Sequence, residues 1–281
     1  MCYGWARTRS AAATRHTSRP PDGSTGSFPR SASPSTRLSA TANARRGKAG
    51  SFGAGADIDW LPTLLAGDAG AKVLEGAHDL MRAMATARKP VVAAISGFAF
   101  GGALEIALAC DAIAATPRSR LGLVESTLGL IPGGGGTQLI HRWTVPSVAA
   151  ELLVTGSVIG ADEGHRLGLV TVLANQNALP GSARTLVEDL AAGRAERRGW
   201  RRVPLGDADR ACAAAAAAAS AVETPPSSTA RDAIVEVFQV GFRQGPAAGL
   251  AAERAAFLTL LASDESRALR QAFKSRSSTR R

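Results

Sequence analysis

Two carboxylates sit where carboxylates are costly. Glu105 lies inside the almost wholly apolar run GGALEIALAC, and Glu125 ends the apolar run RLGLVE. Neither has a Lys or Arg three or four residues away, so no helical neighbour offsets its charge. A carboxyl in such surroundings loses hydration and titrates above its ordinary range. That suits general acid or base work near neutral pH. Taken singly, each glutamate reads more readily as a solvent-facing or capping residue. Two of them on consecutive structural units favour the chemical reading.

Two glycine clusters accompany the glutamates: GAGADI at 53–58 and PGGGGTQ at 132–138. The first lacks the third glycine of a dinucleotide fingerprint and follows no visible strand. The second has no Lys after it, so it is not a phosphate loop. Both clusters are open to two readings. They are plain turns, or they expose backbone N–H groups toward a carbonyl oxygen that gains negative charge.

The surrounding pattern must position these residues. AKVLEGAHDLMRAMATARK sets Val73, Leu74, His78, Leu80, Met81, Met84 and Ala85 along one face at helical spacing. PVVAAIS reads as a buried strand starting at Pro90, GGALEIALAC as a helix and DAIAAT as a strand. RLGLVE is a further short strand, and PGGGGT opens a helix near Gln138. SVAAELLVTG is a helix closed by Gly156, ADEGHRLG a short helix and LVTVLA a strand. Strands alternating with helices predict an α/β fold. Beyond about residue 180 the pattern is wholly helical. It includes the Ala-rich ACAAAAAAAS and an amphipathic run over 230–273. Residues 91–110 are apolar enough to suggest a membrane span, with a GxxxG at Gly97 and Gly101. Glu105 would then sit in hydrocarbon at a cost of a few kcal/mol. A buried strand, a tight glycine turn and a buried helix fit better, so no membrane partner is expected.

Charge and composition exclude other classes. The net charge is +10, but residues 1–48 hold nine Lys/Arg against the single acid Asp22. Residues 274–281 hold four more Lys/Arg and no acid. The two ends thus carry more than the whole excess, and the body between them is slightly acidic. A nucleic-acid partner would rest on the tails alone. Cys2, Cys110 and Cys212 lie far apart, and the four histidines show no ligand spacing. Neither a disulfide framework nor a metal site is expected, and a reducing cytoplasm is the expected setting. Residues 1–48 are rich in Ser, Thr, Arg, Ala and Pro without apolar periodicity. They read as a disordered basic leader.

GAGADI, SGFAFGGALEIALACD and LVESTLGLIPGGGGTQ, in this order and spacing, resemble the enoyl-CoA hydratase/isomerase (crotonase) superfamily. The likeness continues through LLVTGSVIGADEGHRLGLVTVL and the ending GLAAERAAFLTLLASDESRALRQAF. It is nearest to the hydratase part of multifunctional fatty-acid oxidation enzymes. The resemblance implies a spiral ββα-superhelix core over 49–180 and a helical region over 181–281. It implies that the amides of Ala56 and Gly102 form an oxyanion hole for a thioester carbonyl. It implies that Glu105 and Glu125 hold a water between them, Glu105 as base and Glu125 as proton donor to the α-carbon. The Gly133 amide would seat that water. Ala54, Gly55, Asp57 and Ile58 would border coenzyme A, which is part of the substrate and not a cofactor. Assembly as a homotrimer, as a dimer of trimers or as part of a multifunctional β-oxidation enzyme is implied as well.

The implied reaction is syn addition of water to trans-2-enoyl-CoA, giving 3-hydroxyacyl-CoA. The alternatives are a Δ3-Δ2-enoyl-CoA isomerase of the same fold, which needs one base at the Glu125 position, and an inactive truncated remnant. Retention of both glutamates favours hydration. Val124 stands where hydratases often have proline. The family's opening strands are not legible in residues 1–48, so an N-terminal βαβ unit is expected to be missing. The Arg/Ser/Pro/Ala character of that stretch reads as translation out of frame. The strand that should hold the GAGADI loop in place is not visible in the sequence.

Overall fold

The computed structural model describes residues 51–199 and 207–278. The expectations for residues 1–48 lie outside the described residues. Strands β1 (Ser51–Gly53), β2 (Val92–Ile95), β3 (Phe98–Phe100), β4 (Ala112–Ala115), β5 (Arg120–Gly122), β6 (Ile159–Gly160) and β7 (Val172–Leu173) form two sheets. One sheet runs β1-β3-β5-β6, and the other runs β2-β4-β7. All pairs are parallel except β5 with β6. The pairs β2 and β3, β4 and β5, and β6 and β7 each give one strand to either sheet. The chain therefore spirals, laying one strand in each sheet per turn.

The corners of the spiral are stitched by hydrogen bonds. Gly97 turns between β2 and β3 with φ +83°, a conformation open mainly to glycine. Its carbonyl accepts from Arg120 N at 2.8 Å, one turn of the spiral later. The Ser119 hydroxyl donates to Ile95 O at 3.1 Å. The strands carry Ile95, Ala99, Ile113 and Leu121, all fully buried. Each large aliphatic side chain removed from water contributes about 1.5–3 kcal/mol. The apolar stretch 91–110 is thus two strands and a seven-residue helix. No helix among the described residues is long and apolar enough to cross a membrane.

Helices enclose the sheets. They are α1 (Ala69–Thr86), α2 (Gly102–Leu108), α3 (Gly136–Ile140), α4 (Pro146–Thr155), α5 (Ala161–Arg166) and α6 (Leu179–Ala191), followed by α7 (Ala208–Ser220), α8 (Ser228–Gln244), α9 (Pro246–Ala262) and α10 (Asp264–Ser278). Helix α4 ends at Gly156, whose φ of +61° matches a left-handed C-terminal cap. In α1, Leu74, His78 and Met81 are buried, and Leu80 and Met84 are half-buried. Val73 faces outward at 38% exposure, because it lies off the 74–78–81 stripe. The Ala85 side chain lies outside the described residues. Helix α6 packs on β2 and β4. A buried ion pair closes this end of the core: Asp111 takes the Arg197 guanidinium on both oxygens, at 2.9 and 2.8 Å. Asp111 also accepts from Val91 N at 2.8 Å.

The Ala-rich segment is a regular helix. Asp207 caps α7 by accepting from Asp209 N. Ala211, Ala215 and Ala219 are buried on one face, where the small side chains let α7 pack closely on α4. The run 230–273 is not one helix but parts of three, α8 to α10. Gly245 at φ +91° and Pro246 at the start of α9 make the first break, and extended Ser263 makes the second.

A three-residue strand leads into the GAGADI loop. Ser51–Gly53 pairs in parallel with β3, Ser51 opposite Phe98 and Gly53 opposite Ala99. The strand is too short to show alternation. Its glycine is a packing need: a Cβ on Gly53 would lie 2.7 Å from the Ala103 Cβ.

Candidate active site

The site is built around the turn from β3 into α2. Gly101 adopts φ +54°, ψ −133°, a region available almost only to glycine. Its N–H donates to Gly122 O at 2.9 Å, and its carbonyl accepts from Leu104 and Glu105 N–H. A side chain here would meet Glu125 Oε1 at 2.9 Å. The turn thus starts α2 with Glu105 in its first turn and lets Glu125 approach the backbone. Glu125 itself opens a 3-10 helix, Glu125–Leu128, just after β5.

Glu105 is 4% exposed. Its Oε1 accepts from Gly134 N and from Gly136 N, both at 2.8 Å. Its Oε2 lies 2.9 Å from a Cβ position on Gly134 and 3.5 Å from one on Gly102. Burial first, then the charges of Glu125 and Glu253, hold its carboxyl well above the usual range; the two amides pull the other way. Glu125 Oε2 is buried with no hydrogen-bond partner among the described residues. Desolvation pushes the Glu125 carboxyl up to about 7, with Glu253 adding to the rise and the residue's own backbone N–H opposing it. Burial thus favours the neutral form of both carboxyls.

The GAGADI loop meets the same turn. A Cβ on Gly55, which has φ +80°, would lie 3.3 Å from Gly102 N and 3.1 Å from Phe100 O. Only a glycine lets the two backbones come this close. The amides of Ala56 and Gly102 donate to no described residue. Ala54, Ala56 and Asp57 are exposed on the lip of this loop, and Ile58 is half-buried against the core. Asp57 caps the next turn, its Oδ1 accepting from Asp59 N at 2.9 Å.

Gly133 stands apart from the glutamates in what it touches. A Cβ there would press on Leu74 and Phe257, each at 3.0 Å, so this glycine seats the turn on apolar side chains. The glycines that bond Glu105 are Gly134 and Gly136, which sequence reasoning passed over. A local run of four glycines does not reveal which amide faces which way.

Sequence reasoning also missed a third buried carboxylate. Glu253 of α9 is fully buried. Its Oε1 accepts from Gly135 N at 2.7 Å and lies 3.2 Å from His78 Nε2. Its Oε2 accepts from Thr137 N at 3.0 Å and from the Thr137 hydroxyl at 2.5 Å. A signal for it existed: Glu253 lies three residues after buried Leu250 and four before buried Phe257, the spacing of one helix face.

The sequence pattern of the enoyl-CoA hydratase/isomerase family matches residues 45–201. The glyoxysomal fatty acid beta-oxidation multifunctional protein MFP-a of Cucumis sativus is 36% identical over 201 residues, which cover 69% of this chain and 27% of that protein. Crotonyl-CoA hydratase of Syntrophomonas wolfei is 42% identical over 131 residues, 46% of this chain and 50% of that one. The chain spans little more than a quarter of the length of the multifunctional relatives and half that of the hydratase. Among solved structures, an enoyl-CoA hydratase from Rhodobacter sphaeroides 2.4.1 superposes with a TM-score of 0.56 at 22% identity, covering 82% of this chain and 74% of that one. An enoyl-CoA hydratase/isomerase from Mycobacterium paratuberculosis gives 0.55 at 21%, covering 79% and 76%. These two share the fold, a crotonase-like α/β spiral with a helical C-terminal region. The chain belongs to the enoyl-CoA hydratase/isomerase family.

Proposed function

We propose that this chain hydrates trans-2-enoyl-CoA thioesters to 3-hydroxyacyl-CoA by syn addition of water. The observation that carries the reading is the pairing of two carboxyls shielded from water, Glu105 and Glu125, with the amides of Ala56 on the GAGADI loop and Gly102 on the neighbouring turn, which donate to no described residue. Addition of water to the alkene loads negative charge on the thioester oxygen. The amides of Ala56 and Gly102 donate to that oxygen, each contributing about 3–4 kcal/mol to the transition state. Glu105, held by two N–H donors, takes a proton from water as its oxygen bonds to the β-carbon. Glu125 gives a proton to the α-carbon as the enolate collapses. The Gly133 amide helps seat that water. Ala54, Gly55, Asp57 and Ile58 border coenzyme A on the open side. This chemistry draws on no metal or redox group, because water and the thioester supply every atom.

The matching relatives act in fatty-acid β-oxidation by name, and the reading places this chain in the same step. Assembly as a homotrimer or a dimer of trimers, or as the hydratase part of a multifunctional enzyme, belongs to the proposal. So does a reducing, cytoplasmic setting; the described cysteines Cys110 and Cys212 are free and buried. The test is to assay the chain on crotonyl-CoA and on a 3-enoyl-CoA. Formation of 3-hydroxyacyl-CoA, abolished by Glu125→Gln, is the expected result. Conversion of the 3-enoyl substrate without hydration would make it an isomerase. An inert wild type, or an unchanged Glu125→Gln, would overturn the reading.

A further inference from the structure

The four successive amides of the glycine turn are divided between two carboxylates. Gly134 and Gly136 donate to Glu105, and Gly135 and Thr137 donate to Glu253. The turn is therefore gripped from both sides, with alternate N–H groups pointing opposite ways. Glu253 accepts from Gly135 N, Thr137 N and the Thr137 hydroxyl. His78 of α1 completes the grip, its Nε2 lying 3.2 Å from Oε1. Gln138 extends it, donating from Nε2 to the Thr137 hydroxyl at 3.1 Å. Gly241 of α8 and Gly249 of α9 leave room for Gln138: a Cβ on either would lie about 2 Å from its Oε1.

We propose that Glu253 is a positioning residue for the reaction: from α9 it fixes the glycine turn so that the Gly134 and Gly136 amides hold Glu105 in its working orientation. The proposal rests on the hydratase reading, and it makes the C-terminal helices part of the active site's machinery. Glu253 is in contact with α1 through His78 and takes N–H groups of the glycine turn and of α3, whereas the N–H groups on Glu105 come from the turn and the first residue of α3. A carboxylate gripped at both oxygens holds the turn in place in a way that solvent would not. The negative charge of Glu253 also bears on the pair, since it raises the carboxyls of both Glu105 and Glu125. The groups facing Glu105 are Glu125 from the 3-10 helix, Glu253 from α9 and the two amides; His78 from α1 faces Glu253.

The test compares wild type with Glu253→Gln and Thr137→Val in the full chain. Gln keeps the shape but turns an acceptor into a donor facing an N–H. Three readouts are taken: amide exchange across 133–137, carboxyl 13C titration of Glu105 and Glu125, and steady-state kinetics on a 2-enoyl-CoA. In Glu253→Gln, exchange rises at Gly134 and Gly136, which do not touch Glu253, and both carboxyls titrate lower. The alkaline limb of the kcat profile moves to lower pH, and kcat falls about tenfold or more with KM within about twofold. Thr137→Val keeps the Glu253 charge, so it speeds exchange and lowers kcat without moving the pH profile. It serves alone if Glu253→Gln does not fold. Faster exchange confined to Gly135 and Thr137, with the Glu105 titration and pH profile unchanged, overturns the proposal. An inert wild type would refute the hydratase reading, while exchange and titration would still judge the clamp.

Discussion

Replacing Gly136 with Ala probes the glycine turn by one methyl group. Gly136 has an ordinary backbone conformation at the start of α3, so alanine meets no torsional penalty there. The difficulty is space. The new methyl would lie 2.7 Å from Pro132 Cβ and 2.8 Å from Glu105 Oε1. The proline ring is stiff, so the glutamate and the turn must give by a few tenths of an ångström or more. Overpacking of this kind costs about 1–3 kcal/mol, which lowers Tm by about 4–8 °C for a 2 kcal/mol loss in a chain of this size. The shift is aimed at Oε1, the oxygen that accepts both amides. A displacement of about 1 Å in a reacting group costs on the order of a hundredfold in rate. Gly136→Ala is therefore expected to lose about tenfold to hundredfold in kcat. Gly76→Ala is the control, because a Cβ there meets nothing within 4 Å in the middle of α1. It should stabilise by about 0.5–1 kcal/mol and leave kcat unchanged. Hydration kinetics and thermal melts of the two variants decide the matter. A Gly136→Ala enzyme with kcat within about twofold of wild type would refute the packing argument.

Glu125→Gln should abolish hydration yet stabilise the fold at alkaline pH. The Glu125 carboxyl is raised from 4.5 to about 7 on folding, so its neutral form is favoured in the native state. Its stabilisation is complete below pH 4.5 and is lost as pH rises through 7. The amide variant stays neutral and should melt higher than wild type at pH 8 but not at pH 4, by up to about 3 kcal/mol; equal melts at both pH values would contradict the burial reading. If Glu125 is the proton donor, kcat of wild type should fall as pH rises through about 7, and a flat profile to pH 9 would count against the role. Arg197→Ala removes two hydrogen bonds and an ion pair from buried Asp111 and should cost about 1–3 kcal/mol, read as a lower denaturation midpoint; an unchanged midpoint would show the ion pair to be idle.

Local pattern reaches as far as a turn of helix or a strand. Glu105 and Glu125 were legible because an acid breaks an apolar run, and that break is visible without knowing what packs nearby. The same holds for α1, α2, α4 and the strands β2, β4 and β5, whose periods span several residues. Gly156 could be read as a helix stop because the cap is a local geometry. What lay beyond reach came from pairings across the chain. β1 is three residues long and exists because Phe98 and Ala99 offer a ladder edge. The break of 230–273 into three helices was marked by Gly245 and Pro246 yet hidden by a continuous apolar stripe. Glu253 was hidden in another way: 118 residues separate it from Gly135, and its neighbour Arg254 makes the pair read as an exposed face. The sequence by itself determined the two glutamates, the glycine content of the turns and the alternation that makes an α/β spiral, since each follows from residue type and short spacing. Only the tertiary structure decided which amide of the glycine turn serves which carboxylate. That choice depends on where α9 docks, and no spacing within the turn encodes it.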